Sequence, residues 1–145
     1  MKVLIDTNVI IDVLQQREPW FPDGQKIFIA AAEKRMDGYI TTKQVADIHY
    51  FSKKNFKGQE NADQKARQVI SKLFDLFCIA DTLCEDCQNA IAVNNGDYED
   101  AIMISTALRI NAGCIVTRNT EHFKIFNLKV FTPSEFINFI ENTEH

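Results

Sequence analysis

Five short apolar runs, separated by stretches of helical periodicity, constrain this chain more than any other feature. They are Val3-Leu4-Ile5, Gly38-Tyr39-Ile40, Phe77-Cys78-Ile79-Ala80, Cys114-Ile115-Val116 and Lys129-Val130-Phe131. Short apolar runs of this kind suit strands buried on both faces. Between them, Val9, Ile10, Val13 and Leu14 stripe a helix over about residues 8–16. Arg17 to Gly24, with Pro19 and Pro22, reads as a loop or helix entry into a helix carrying Ile27, Phe28, Ala31 and Ala32. Thr41 and Gln44 have capping-box spacing and open a helix to about Lys54. After Gly58, Ala62, Ala66, Val69, Ile70 and Leu73 share a face, with Lys65 and Lys72 on another. A further helix runs from Asp97 to Ala112, and Thr132, Pro133 and Glu135 open the last, with proline at its first position. This alternation predicts an α/β class: a three-layer α/β/α arrangement around a central, mostly parallel sheet of about five strands, in one domain spanning 1–145.

Charge and composition narrow the function. The formal net charge of −4 argues against gripping nucleic acid by bulk electrostatics, yet it is compatible with an enzyme that touches a few phosphates. The apolar run after Met1 is too short for a signal peptide, and no stretch approaches the roughly 20 apolar residues of a membrane span. A soluble cytoplasmic protein without membrane contact is expected. Cys84 and Cys87 form a C-x-x-C, but no second pair or histidine cluster completes a zinc site. Thr82 and Glu85 read instead as a capping box, with Cys84, Cys87 and Ile91 sharing a core-facing side and Leu83 close by. Cys78 and Cys114, inside strands, read as core.

The carboxylates carry the chemistry. In open parallel sheets, sites form beyond the carboxyl ends of the strands. Asp6 follows the first strand directly. Asp47 lies in the helix after the second strand, at the edge of the Val45, Ile48 and Phe51 stripe. Asp97, Glu99 and Asp100 open the helix before the fourth strand, and Asp100 falls within the apolar stripe of Ala101, Met103, Ile104, Ala107 and Leu108. Each has an ordinary reading: helix cap for Asp6 and Asp97, first-turn acid for Asp100, solvated edge for Asp47. His49 reads as a surface or boundary residue. Taken together, several carboxylates in one cleft repel each other and call for a cation. Mg²⁺ or Mn²⁺ suits such oxygen ligands, and an ion so held activates water beside a phosphate.

The segments Val3-Leu4-Ile5-Asp6-Thr7-Asn8-Val9, Tyr39-Ile40-Thr41-Thr42 leading to Val45-Ala46-Asp47-Ile48, Asp97-Tyr98-Glu99-Asp100-Ala101-Ile102, and Ile115-Val116-Thr117-Arg118-Asn119 resemble, in order and spacing, the PIN-domain family of VapC-type toxins and related ribonucleases. The resemblance covers nearly the whole chain. It implies an endoribonuclease that uses Mg²⁺ or Mn²⁺, the toxin of a toxin–antitoxin pair inhibited by a small partner protein, and a homodimer. It implies Asp6, Asp47 and Asp100 as catalytic, metal-holding acids with Asp97 close by, Asn8 supporting the Asp6 loop, and Thr117 lining the site. Many members carry a fourth acid after the fourth strand; here Asn119 stands there, with Glu121 and His122 nearby. The family more often has Glu where this chain has Asp47. Lys43, Lys53, Lys54 and Arg118 are candidate contacts to an RNA backbone, although the ordinary reading of the three lysines is solvated helix surface. The departures leave a second reading, a PIN-like scaffold that binds RNA or protein without cleaving. A receiver-like phosphotransfer module has Asp81 as formal phospho-acceptor, but Lys124 is poorly placed and paired acids after the first strand are missing. A DNA nuclease of related fold is disfavoured, because 145 residues leave little room for the extra elements that bend duplex.

Overall fold

The computed structural model describes residues 1–124 and 127–144. In chain order the elements are β1 (Lys2–Ile5), α1 (Thr7–Leu14), α2 (Phe21–Ala32), β2 (Asp37–Thr41), α3 (Thr42–Asn55), α4 (Ala62–Leu76), β3 (Cys78–Ala80), α5 (Cys84–Ala90), α6 (Tyr98–Arg109), β4 (Cys114–Val116), α7 (Thr120–Phe123), β5 (Lys129–Phe131) and α8 (Pro133–Thr143). The five strands form one sheet of order β3-β2-β1-β4-β5, and every pairing is parallel.

Side-chain alternation in the strands divides the core in two. Val3, Ile5, Ile40, Cys114 and Val116 face one side, where α1, α2, α3, α4 and α8 contribute Ile10, Ile27, Ile48, Leu73 and Phe136. Leu4 and Ile115 face the other side, against Met103, Ile104 and Ala107 of α6 and Phe123 of α7. Helix α5 packs outside α6 through Ala90, Ala101 and Ile102. The result is the three-layer α/β/α architecture, with an entirely parallel sheet.

Several local expectations are corrected. Helix α1 stops at Leu14, because Gln16 takes a left-handed φ of 50° and cannot continue it. Phe77 terminates α4 and is buried, so β3 begins at Cys78. Helix α6 is shorter than the periodic segment: Asp97 caps it and Ile110 ends it. The capping residue of α5 is Leu83 rather than Thr82; the Asp86 carboxylate accepts the Leu83 amide at 2.9 Å, while Thr82 donates its own amide to the Thr42 hydroxyl. The face that holds Cys84 and Ile91 points outward, with Ile91 77% exposed. Cys78 is exposed on the edge strand; Cys114, on a strand flanked on both sides, is buried.

Candidate active site

The sheet order places β1 in the centre, between β2 and β4, and the chain leaves β1 and β4 at neighbouring positions on one edge. This is the crevice that parallel sheets open at their carboxyl ends. Asp6 emerges there with extended backbone and caps α1, its Oδ1 accepting the Thr7 amide at 2.7 Å. Its Oδ2 accepts the Thr117 hydroxyl, also at 2.7 Å, from the end of β4. Thr117 is fully buried and accepts in turn from the Asn119 amide and, at 3.5 Å, from Asn8 Nδ2. The Asn8 side-chain Oδ1 accepts the Arg118 amide at 3.4 Å. Asn8 and Thr117 thus tie the two strand ends together around Asp6.

Asp97 caps α6 by accepting the Asp100 amide at 3.1 Å, which turns the Asp100 side chain inward to 17% exposure. Asp6, Asp97, Glu99, Asp100, Asn119 and His122 line a cleft of about 370 Å³, shared with Phe51 of α3 and Arg17. Burial pushes the Asp6 carboxyl up to about 6; the hydrogen bond from Thr117 opposes the rise and the charge on Asp100 adds to it. Burial likewise raises Asp100, with the His122 hydrogen bond opposing and the Asp97 charge adding. Asp97, Asp100 and His122 each bring one ligand atom within 4.8 Å of the other two, and His122 Nδ1 lies 2.9 Å from Asp100 Oδ2.

Asp47 is not in that cluster. It lines an adjoining hollow of about 130 Å³ that it shares with Asp6, Lys43, Glu99 and Asp100. Lys43 pairs with the Asp47 carboxylate and reaches Glu99 at 3.3 Å. Burial pulls the Lys43 ammonium pKa down, but its two acidic partners outweigh this and hold it above its ordinary value. Of the other candidate cations, Arg118 is not a free surface charge. It pairs with Asp12, which is 1% exposed, and its guanidinium lies 4.0 Å from the Trp20 ring. Lys53 and Lys54 sit on the last turn of α3, beside a groove that does not touch the acids. Asp81 follows the edge strand β3, remote from the β1–β4 crevice, and Lys124 pairs with Glu121.

Three roles go beyond the sequence reading, which has His122 only as a neighbour of Asn119. His122 approaches because α7 folds the loop after β4 back toward α6, with Asn95 Nδ2 holding the His122 carbonyl at 2.9 Å. Nothing local in Thr120-Glu121-His122-Phe123 signals this. Gln44 was read only as a cap; buried, its amide also donates to the Ile5 carbonyl at 2.7 Å and so joins α3 to the end of β1. Asp12 had a usable signal, an acid inside the Val9-Ile10-Val13 stripe, the same pattern that singled out Asp100.

Among the described residues, no helix is long and apolar enough to cross a membrane. No curated protein sequence matches the chain. The fold resembles that of a toxin–antitoxin complex from Klebsiella pneumoniae at 23% identity and TM-score 0.64, covering 90% of this chain and 97% of that one. It also resembles VapBC-1 from nontypeable Haemophilus influenzae at 20% identity and TM-score 0.64, covering 92% and 99%. A third likeness is VapBC2 from Rickettsia felis, bound to a DNA fragment from its promoter, at 18% identity and TM-score 0.62, covering 90% and 97%. The PIN domain sequence profile fits residues 2–121, which contain every side chain placed in the cleft except His122, so the chain belongs to the PIN-domain family.

Proposed function

We propose that this protein is a metal-dependent endoribonuclease, the toxin of a toxin–antitoxin pair, acting in the cytoplasm as a single-domain homodimer that a small antitoxin protein inhibits. The observation that carries the reading is the convergence of buried Asp6 and part-buried Asp100 in one cleft at the carboxyl end of the sheet, where burial raises both carboxyls and the Asp100 charge adds to the rise at Asp6. Two acids withdrawn from solvent that do not neutralise one another, with no lysine or arginine bonded to either among the described residues, fit a divalent cation. The donor set, carboxylates with one imidazole and no thiolate, agrees with Mg²⁺ or Mn²⁺. Asp6 and Asp100 would hold the ion, with Asp97 adjacent and Asp47 on the far side of the hollow. The chemistry such an ion supplies is activation of water and stabilisation of charge on a phosphate.

The chain's own residues do the rest. Thr117 and Thr7 hold the Asp6 carboxylate in one orientation, which pre-organises the cleft. Asp97 lends one oxygen to the α6 amide and keeps the other for a proton from the attacking water. Lys43, at the rim, supplies a cation for a phosphate oxygen once the RNA competes for it. Phe51, 39% exposed at the cleft wall, offers a face to an unstacked base, which favours single-stranded or looped RNA. The toxin role and the antitoxin partner draw on the toxin–antitoxin complexes whose fold this chain shares.

One observation favours a second reading, a binding scaffold without cleavage: Lys43 neutralises Asp47, and Asn119 brings no charge. Cleavage of a mixed structured and single-stranded RNA panel separates the two. The expected result is cleavage with Mg²⁺ or Mn²⁺, none in EDTA, and loss of at least a hundredfold (roughly 3 kcal/mol of barrier) in Asp6→Asn and in Asp100→Asn. Absence of cleavage together with absence of any Mn²⁺-induced thermal shift supports the scaffold. Activity that survives both substitutions sinks the site assignment.

A further inference from the structure

The cluster at the mouth of the cleft is not the all-oxygen set expected from the acids alone. The loop after β4 brings a neutral carboxamide, Asn119, and then an imidazole, His122. Glu121, the remaining acid of that loop, is 80% exposed and paired with Lys124 at 2.7 Å, so it adds no charge to the cleft. His122, although 46% exposed at the cleft mouth, points its ring at the acids, with Nδ1 2.9 Å from Asp100 Oδ2 and within 4.8 Å of an Asp97 oxygen. Ligands that sit about 2.0–2.2 Å from a shared ion lie roughly 3–4.4 Å from each other, close to this spacing. Its backbone is held from both sides: the amide donates to the Asn119 carbonyl at 3.1 Å, and the carbonyl accepts from Asn95 at 2.9 Å. The next residue, Phe123, is fully buried and anchors the turn in the core.

We propose that His122 is a nitrogen ligand of the cation in this cleft and that it tunes the centre toward Mn²⁺ over Mg²⁺. The inference rests on the metal-centre reading above. Mg²⁺ prefers oxygen ligands in a near-ideal octahedron and gives up water reluctantly. Replacing a carboxylate by an imidazole takes away charge that Mg²⁺ depends on and adds a bond that transition ions use better. The two remaining acids, Asp97 and Asp100, together with buried Asp6, keep enough negative charge for a divalent ion. His122 therefore restores by softness what the loop after β4 lacks in charge.

The test is binding, not turnover. Mn²⁺ and Mg²⁺ are titrated calorimetrically into the full chain, and the Mn²⁺-loaded protein is examined by pulsed electron paramagnetic resonance for nitrogen hyperfine coupling. Wild type should show coupling to one imidazole nitrogen and bind Mn²⁺ more tightly than Mg²⁺. His122→Asp should lose the coupling and shift the Mn²⁺/Mg²⁺ affinity ratio toward Mg²⁺ by roughly tenfold. His122→Gln should lose the coupling and weaken Mn²⁺, while His49→Gln should leave both unchanged. Mn²⁺ bound with no nitrogen coupling, or an affinity ratio that His122→Asp leaves unmoved, overturns the role of His122 and spares the metal centre. Failure of wild type to bind either ion overturns both.

Discussion

Asp6 is a carboxylate placed where ionisation is costly, 7% exposed and facing Asp100. Its folded pKa, about 6, lies above the ordinary 3.8, so the folded chain binds the proton more tightly than the unfolded one. Stability from this group is complete below pH 4 and is lost as pH rises toward 6 and beyond. At neutral pH the gap corresponds to about 3 kcal/mol, an upper bound because Asp100 titrates with it. Asp6→Asn should therefore melt higher than wild type at pH 7 in EDTA while losing cleavage, and the advantage should shrink as pH falls through the range 6 to 4. Thermal denaturation across that range checks it. A variant that is less stable at every pH would mean the hydrogen bonds from Thr7 and Thr117 outweigh the burial penalty. Function and stability would then not be opposed at this residue.

At the scale of elements, helix α3 reaches the cleft through its first turn. Gln44 is both the third residue of the capping box and the only described side chain bonded to the Ile5 carbonyl, the last of β1. Losing it leaves the buried Ile5 carbonyl and the Thr41 amide without their partner. Gln44→Ala should cost about 2–3 kcal/mol in urea unfolding. Mn²⁺ affinity should fall with it, since the helix positions Lys43 and Asp47 beside Asp6. Unchanged stability would show that another group or water takes over both bonds. The same logic separates α3 from α5, whose Cys84 and Ile91 face solvent and carry no part of the cleft.

For the whole molecule, two ion pairs on buried aspartates fasten separate segments: Asp12 with Arg118 joins α1 to the loop after β4, and Asp86 with Arg109 joins α5 to α6. Burial pushes the Asp86 carboxyl up, but Arg109, the Leu83 amide and the Thr106 hydroxyl outweigh it and leave it below its ordinary value. Its stabilisation is full above about pH 4 and is lost as pH falls through the lower folded value. Arg109→Ala strands a fully buried carboxylate and should cost roughly 3–5 kcal/mol at pH 7. That deficit against wild type should narrow below pH 4, where both proteins protonate Asp86. Urea unfolding at pH 3 and 7 tests this; an equal deficit at both would assign the loss to packing.

The alternation of apolar runs with helical stripes was enough for the α/β class and the parallel sheet, because burial on both faces leaves strands no polar side to display. It was enough to mark Asp6 and Asp100 as well, since an acid ending a buried strand or interrupting an apolar stripe is conspicuous against its neighbours. Periodicity reports which face of an element is apolar, but not which elements share that face or how far apart two chain segments end. Hence Cys84 and Ile91 turned out exposed: α5 lies outside α6, and only its inner side is covered. For the same reason Arg118, in a strand-end segment that reads as a phosphate contact, is consumed by Asp12, 106 residues earlier in the chain. His122 enters the cleft, and Asp47 stands apart from the main cluster with Lys43 on it, through loop paths and helix packing. Those depend on long-range contacts, and the tertiary structure alone decides them.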